Sequence, residues 1–463
     1  MLLFSIIAYL VVTILVGIWA SRRVKTSGDF MLAGRSLPLI LSGAALFATW
    51  FGSETVFGAS SQFLEGGLYN VIEDPFGAAL CLFLFGHFFA RKLYKLQLLT
   101  LGDYFKVRFG RRAELVASIF LAPPYAGYIA AQLVAMALIL NVVTGMEIWQ
   151  GVIACAVVVT VYTYVGGMWA ISITDFIQGV LIIVGLVVLS VILADKAGGA
   201  GAVLADVSPG TFKFLPSPDA KSILAYVAAW SVLGLGSIPS QDVFQRSMSS
   251  KSANTAVYAC YLGAFLYLTF AMLPLFISLC TRHLYPEQIT GDTQLVLPNM
   301  VLLHTNIFVQ ILFFGSLISA ILSTTSSAML APASICAENI VKPMMKGSMT
   351  DRQLLLVTRG AVLAFSIIAS IMACLRSNIY ELVGESSILS LVSLFVPLTL
   401  GLYWRRANGR GAILSMVTGM CAWIAFEQVE MEIPSLVPAT LLSLVAMIVG
   451  SVWPTRTSTQ VTG

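Results

Sequence analysis

Long apolar runs separated by short polar stretches organise this chain. They cover approximately residues 2–20, 38–63, 69–90, 113–143, 148–168, 174–194, 220–245, 255–280, 305–340, 356–375, 380–404, 411–427 and 433–453. A bilayer's hydrocarbon core takes roughly 20 apolar residues of helix per crossing. Lipid offers no water to satisfy backbone groups, so continuous helix is the expected state of each run. Several runs exceed one straight crossing and are expected to tilt, break or extend past the membrane. The run at 2–20 lacks the basic start and small-residue cleavage site of a signal peptide, and Arg22, Arg23 and Lys25 follow it. It reads as a retained first helix. The longest connections, 195–219 and 281–304, are too short for a separate domain. The tail after Trp453 is polar and expected to be disordered.

Composition agrees with that pattern. The chain is 58% hydrophobic and 10% charged, with a mean hydropathy of +0.90, whereas a soluble domain carries about 25% charged residues. A formal net charge of +4, with no basic stripe among aromatics, gives no reason to expect nucleic acid. Cys81, Cys155, Cys260, Cys280, Cys336, Cys374 and Cys421 are scattered and form no C-x-x-C, so they read as small buried hydrophobes. His87, His283 and His304 form no metal-ligand motif.

Charge also orients the chain. Thirteen spans put the two ends on opposite sides. With the N-terminus outside, Lys196, Lys213, Lys221, Arg282 and Arg376 fall outside and the rest of the 26 Lys and Arg fall inside, none within a span. Positive charge favours the cytoplasmic side. The expectation is a single transmembrane domain over 1–463 in the cell's plasma (inner) membrane, with its C-terminus in the cytoplasm.

Function in a bilayer shows where apolar continuity fails, because ionisable groups inside a span are costly. Glu54 lies midway through the second run, in Ala48-Thr49-Trp50-Phe51-Gly52-Ser53-Glu54-Thr55. Gly52 and its polar neighbours are poor material for continuous helix, which predicts a break whose freed carbonyls face a central cavity. Two Gly and a Pro in Gly234-Leu235-Gly236-Ser237-Ile238-Pro239-Ser240-Gln241-Asp242 predict another. Counted from the run at 38–63, the break recurs in the sixth helix, which suggests five-helix repeats. Asp175, near the start of a run, is open to two readings: a functional carboxylate, or one satisfying a helix N-terminus.

The cluster Ala320-Ile321-Leu322-Ser323-Thr324-Thr325-Ser326-Ser327 is likewise double-edged. At about 100° per residue, positions 320, 323, 324 and 327 share a face. Hydroxyls with a carboxylate and free carbonyls would suit a hard cation such as sodium. Hydroxyls bonded to their own helix are equally ordinary in membranes.

Together with four further segments these residues resemble the sodium:solute symporter family. The segments are Gly28-Asp29-Phe30 to Gly34-Arg35; Gly166-Gly167 to Thr174-Asp175-Phe176-Ile177-Gln178; Gln241-Asp242-Val243-Phe244-Gln245-Arg246; and Gly401-Leu402-Tyr403-Trp404-Arg405-Arg406-Ala407-Asn408-Gly409-Arg410-Gly411-Ala412. The resemblance implies an all-α membrane protein of the LeuT type. Its five-plus-five inverted repeat carries one extra N-terminal and two extra C-terminal helices, making 13 transmembrane helices. The divisions are then 1–37 for the extra helix and loop, 38–194 and 220–404 for the repeats, 405–453 for the last two helices and 454–463 for the tail.

The resemblance also implies a principal sodium site of Ala48, Phe51 and Ala320 carbonyls with Ser323 and Thr324 hydroxyls. A second sodium site would use Asp175, Ser323, Ser326 and Ser327, so one or two sodium ions are expected and no organic cofactor. For the solute, Trp50, Glu54, Thr55, Asp74, Tyr128, Gln132, Ser240 and Gln241 are the candidates. Trp50 and Glu54, four apart, share a face if helix persists between them. Trp50 and Tyr128 match aromatic positions of choline-type members, where cation–π attraction holds ammonium; a third cage position is Ser240 here. Glu54 also matches the Glu of sugar-carrying members. The order of expectation is an amine or amino-acid-like solute, then a sugar or polyol, then a monocarboxylate.

The partners so implied are that small organic solute and the lipid bilayer, with a monomer sufficient for transport. Absence from the sequence of H-E-x-x-H, G-x-x-x-x-G-K-[ST] and G-x-S-x-G leaves no sign of a zinc protease, an ATP-driven pump or a serine hydrolase. No selectivity-filter repeat suggests a channel. A proton-coupled carrier, with Asp175 or Glu54 titrating, is the nearest alternative to sodium symport by alternating access.

Overall fold

A computed structural model describes residues 32–164, 168–345, 349–429 and 431–453, with a few positions before residue 16. Most of the first apolar run, Arg22, Arg23, Lys25, the Gly28-Asp29-Phe30 motif, Gly166-Gly167, Lys346, Arg456 and the 454–463 tail lie outside the described residues. Among those described, structure is helical save for one isolated parallel bridge between Leu37 and Ser250. Among the described residues eight helices are long and apolar enough to cross a membrane, or nine if a bent pair forms one span. Ile148–Thr163 and Leu436–Val452 are shorter apolar helices.

Two spans are broken where Gly and small polar residues predict it. Helix Leu39–Phe47 ends in a stretch of turns, and helix resumes by Glu54. Helix Ala220–Gly236 stops before Pro239 and gives way to helix Gln241–Met248 at a 50° bend. The Glu54–Lys95 run is 42 residues long, too long for one crossing. It folds back near Gly67, whose φ of +70° suits glycine. Thr55 and Asp74, 19 residues apart, are thereby in hydrogen-bond contact.

The two broken spans are tied at one end. Leu37 N donates to Ser249 O and Lys251 N to Leu37 O, each at 3.0 Å. Ser42 and Ser250 hydroxyls meet at 2.9 Å. Helix Leu39–Phe47 packs on helix Ala253–Phe270, while helix Met168–Lys196 packs on helix Ile307–Ile335. Helix Pro124–Thr144 lies against Asp351–Leu375, Ile379–Ser390 and Ile148–Thr163, and its residues from Pro124 to Ile139 are buried.

Two sequence expectations change. The 281–304 connection is largely helical: Val296–His304 forms a helix because Val296, Leu297, Met300 and Val301 are buried. Arg246, expected in an inward loop, lies in the last turn of helix Gln241–Met248 and is 1% exposed. Charge counting places every Arg in water by default, and a cation buried against protein carboxylates escapes that rule.

Gly236 lets the first half of the bent pair approach helix Ile379–Ser390. A Cβ there would stand 2.4 Å from the Ser387 carbonyl oxygen, which is backbone and cannot swing away. Gly236→Ala is therefore expected to cost about 1–3 kcal/mol. A thermal-unfolding midpoint in detergent equal to wild type contradicts this.

Candidate functional site

Both breaks open onto the centre of the bundle. A narrow cavity there is lined by Trp50 from the first break, Tyr125 and Tyr128 from helix Pro124–Thr144, Ser237, Ser240 and Asp242 from the second break, and Ser386, Ser387 and Ser390 from helix Ile379–Ser390. Its lining combines aromatic rings with serine hydroxyls. The Asp242 carboxylate accepts from Tyr125 Oη at 3.0 Å. That same Tyr125 oxygen accepts from Asp242 N at 3.1 Å, which fixes the ring. Tyr125 and Tyr128 meet edge to face at 6.5 Å.

Trp50 also lines a second, smaller hollow, shared with Ala48, Thr49, Phe51, Gly52, Ser53, Gln132, Ala320, Ile321 and Thr324. Four of the five residues expected at a principal sodium site, Ala48, Phe51, Ala320 and Thr324, thus line one space. Thr324 Oγ1 reaches Ala48 O at 3.4 Å, and Tyr128 Oη donates to Thr49 O at 2.6 Å. Break carbonyls left without helical donors find hydroxyl partners from two other helices, as low dielectric requires. Among the described residues no cluster of three His, Cys, Asp or Glu could hold a metal. The donor set here is neutral oxygen, which suits a hard monovalent cation.

The fifth residue, Ser323, turns the other way and donates to Asp175 Oδ1 at 2.9 Å. Asp175 lies two turns inside helix Met168–Lys196, not in its first turn. It therefore does not serve a helix N-terminus, one of its two sequence readings. It faces Arg246 Nη2 at 3.8 Å from Oδ2, with both side chains 1% exposed. Arg246 Nη2 also donates to Ser327 Oγ at 3.2 Å. Ser327 Oγ bonds back to the carbonyls of Ser323 and Thr324, and Thr325 Oγ1 to Ile321 O at 2.5 Å. Thr325 and Ser327 thus bond to their own helix, while Ser323 and Thr324 turn outward to Asp175 and Ala48. Ser326 is buried on the same helix.

Glu54 is 1% exposed. Its Oε1 accepts from Gln132 Nε2 at 3.2 Å, while Oε2 has no hydrogen-bond partner among the described residues. The helical face expected to join Trp50 to Glu54 does not exist, because helix does not persist between them. Thr55 and Asp74 sit in a closed network: Thr55 Oγ1 donates to Asp74 Oδ2 at 3.0 Å and Tyr267 Oη to Asp74 Oδ1 at 2.6 Å. Neither lines the central cavity. Gln241 is engaged elsewhere, its Oε1 accepting from Leu101 N at 2.8 Å. Ser240 Oγ bonds to Ser237 O at 2.6 Å and still lines the cavity.

Sequence reasoning did not single out Tyr125, Asp242, Arg246, Tyr267 or the serines at 386, 387 and 390 as site residues. Asp242 and Arg246 were findable, since both are ionisable and directly follow a Gly-Pro break. Tyr267 and the serines sit in ordinary apolar runs and carry no local signal.

Residues 30–419 match the sodium:solute symporter family. The chain is 28% identical over 439 residues to the human high affinity choline transporter 1, covering 90% of this chain and 75% of that protein. It is 27% identical over 482 residues to the high-affinity proline transporter of Bacillus subtilis, covering 97% of each. Among solved structures it resembles a Na+-coupled sialic acid symporter in a substrate-bound outward-open state, with TM-score 0.82, 22% identity and 97% of each chain covered. That likeness concerns the fold. The matched region takes in both broken spans and every candidate residue from Ala48 to Ser327, and on it the chain belongs to the sodium:solute symporter family.

Proposed function

We propose that this chain carries a small amine or amino-acid-like solute into the cell by sodium-coupled alternating access. One observation supports the reading: an aromatic-lined cavity with Asp242 adjoins, through Trp50, a hollow lined by the break residues 48–53 with Gln132, Ala320, Ile321 and Thr324. Sodium in that hollow would order residues 48–53 and with them Trp50, a wall of the solute cavity. The two ligands then favour the same state, which is what coupling needs.

Aromatic faces with a carboxylate suit an ammonium group. The kinship with choline and proline transporters supports that class. The choline-type cage position at Ser240 is not aromatic, but Tyr125 supplies a ring beside Tyr128. Glu54, with one oxygen unpartnered among the described residues, is a second carboxyl group near the break. A sugar or polyol is the second reading, favoured by the serines at 237, 240, 386, 387 and 390 around the cavity. We further assign the chain 13 spans in a five-plus-five inverted repeat with extra helices at each end, its N-terminus outside and its C-terminus in the cytoplasm.

Proteoliposomes test the coupling. With an inward sodium gradient and no proton gradient, purified protein is expected to accumulate its amine or amino acid. Accumulation driven by protons alone, with sodium absent, overturns the reading. Thr324→Ala removes one oxygen from the hollow and is expected to lower sodium affinity about tenfold, or ~1.4 kcal/mol. Unchanged sodium dependence contradicts that placement.

Asp242→Asn tests the solute class. Loss of a charge-assisted contact worth roughly 1.5–3 kcal/mol is expected to raise the KM of a cationic solute about 10- to 100-fold. A KM that does not move, with uptake intact, favours the polyol reading.

A further inference from the structure

Arg246 is a buried cation that the transport reading does not use. It is 1% exposed and sits where the second sodium site was expected. Its Nη2 is 3.8 Å from Asp175 Oδ2 and 3.2 Å from Ser327 Oγ. A guanidinium built to lock a carboxylate makes two short parallel bonds. This one does not. Asp175 Oδ2 and Arg246 Nε are both buried without a hydrogen-bond partner among the described residues. The pair balances charge without latching, as a displaceable counter-ion does. Three facing groups, Asp175, Ser323 and Ser327, offer oxygens to one spot on the serine-rich helix, and two of the three already meet the guanidinium.

We propose that Arg246 is a tethered competitor for the cation position beside Asp175. Its guanidinium holds the Asp175–Ser327 face when sodium is away and must leave for sodium to enter. This rests on the symport reading above and deepens it. Two cations cannot share Asp175 Oδ2 and Ser327 Oγ, because a second charge at contact distance is repelled most strongly where water is excluded. Arg246 therefore weakens the second site and lets it fill only at high sodium. Displacement has a mechanical consequence. The Arg246–Ser327 bond joins helix Gln241–Met248, the inner half of a broken span, to helix Ile307–Ile335. Sodium entry releases that tie.

Binding of radioactive sodium to the purified full-length protein, with N-methyl-D-glucamine as the replacing ion, tests this. Arg246→Gln is expected to raise sodium affinity by at least about tenfold, a low bound for removing a buried counter-charge. Arg246→Lys keeps a charge opposite Asp175, so it folds even if the Gln variant does not. It loses the fork that also reaches Ser327, so its affinity should fall between wild type and Arg246→Gln. In Asp175→Asn/Arg246→Gln the gain should vanish. Sodium affinity in Arg246→Lys equal to or weaker than wild type overturns the proposal, as does a gain that survives Asp175→Asn. If wild type binds no sodium, the symport reading itself fails. If wild type binds sodium and the Arg246 variants gain nothing, only this inference fails.

Discussion

Backbone carbonyls freed inside a bilayer are the constraint on which the structure turns. At residues 48–52 the helix stops, and oxygens such as those of Ala48 and Thr49 lose their intrahelical donors in a medium without water. Leaving one such group unpaired costs roughly 1–3 kcal/mol, so neighbouring helices must answer. Tyr128 answers Thr49 and Thr324 answers Ala48. Those answers set where helices Pro124–Thr144 and Ile307–Ile335 stand relative to the break. The hollow between them is a by-product of geometry that chemistry can then use.

The second break repeats the device with a different ending. Helix Gln241–Met248 begins at Ser240 and carries Asp242 at its start and Arg246 in its last turn. Asp242 is held by Tyr125 and aimed at the cavity, while Arg246 is buried against Asp175 and Ser327. A single turn of helix thus connects the central cavity to the region beside the serine-rich helix. Both broken spans are joined at Leu37–Ser250, so movement of one half-helix is felt by the other. Burial of an ion pair is weak evidence for stability, since desolvation offsets much of its attraction. Its loose geometry fits a changing partner better than a fixed strut.

Much of this was legible in the residues. Apolar run length announced a helical membrane protein, because hydrocarbon thickness fixes the length of a crossing. Gly52 and the Gly-Gly-Pro segment announced the breaks, because backbone preference is local. Glu54, Asp175 and the serine cluster announced a polar interior. What stayed hidden depends on tertiary contact. Arg246 was assigned to water because its charge belongs there unless a partner 71 residues away, Asp175, is known. Thr55 and Asp74 satisfy each other and Tyr267 instead of facing a ligand, and Gln241 caps the chain at Leu101. Sequence distance gives no hint of such pairings. The tie between residue type and site is strongest where burial leaves a group no alternative, as at Glu54, and weakest where a hydroxyl can turn to its own helix, as at Ser327.

The central claim is that break carbonyls and a facing hydroxyl make a sodium pocket. Anomalous diffraction from crystals grown with thallium in place of sodium tests it most directly, since thallium is a heavy monovalent cation. A peak enclosed by Ala48, Phe51, Ala320 and Thr324, competed away by added sodium, is the predicted result. A structure with well-ordered break residues and an anomalous peak elsewhere, or none, would contradict it.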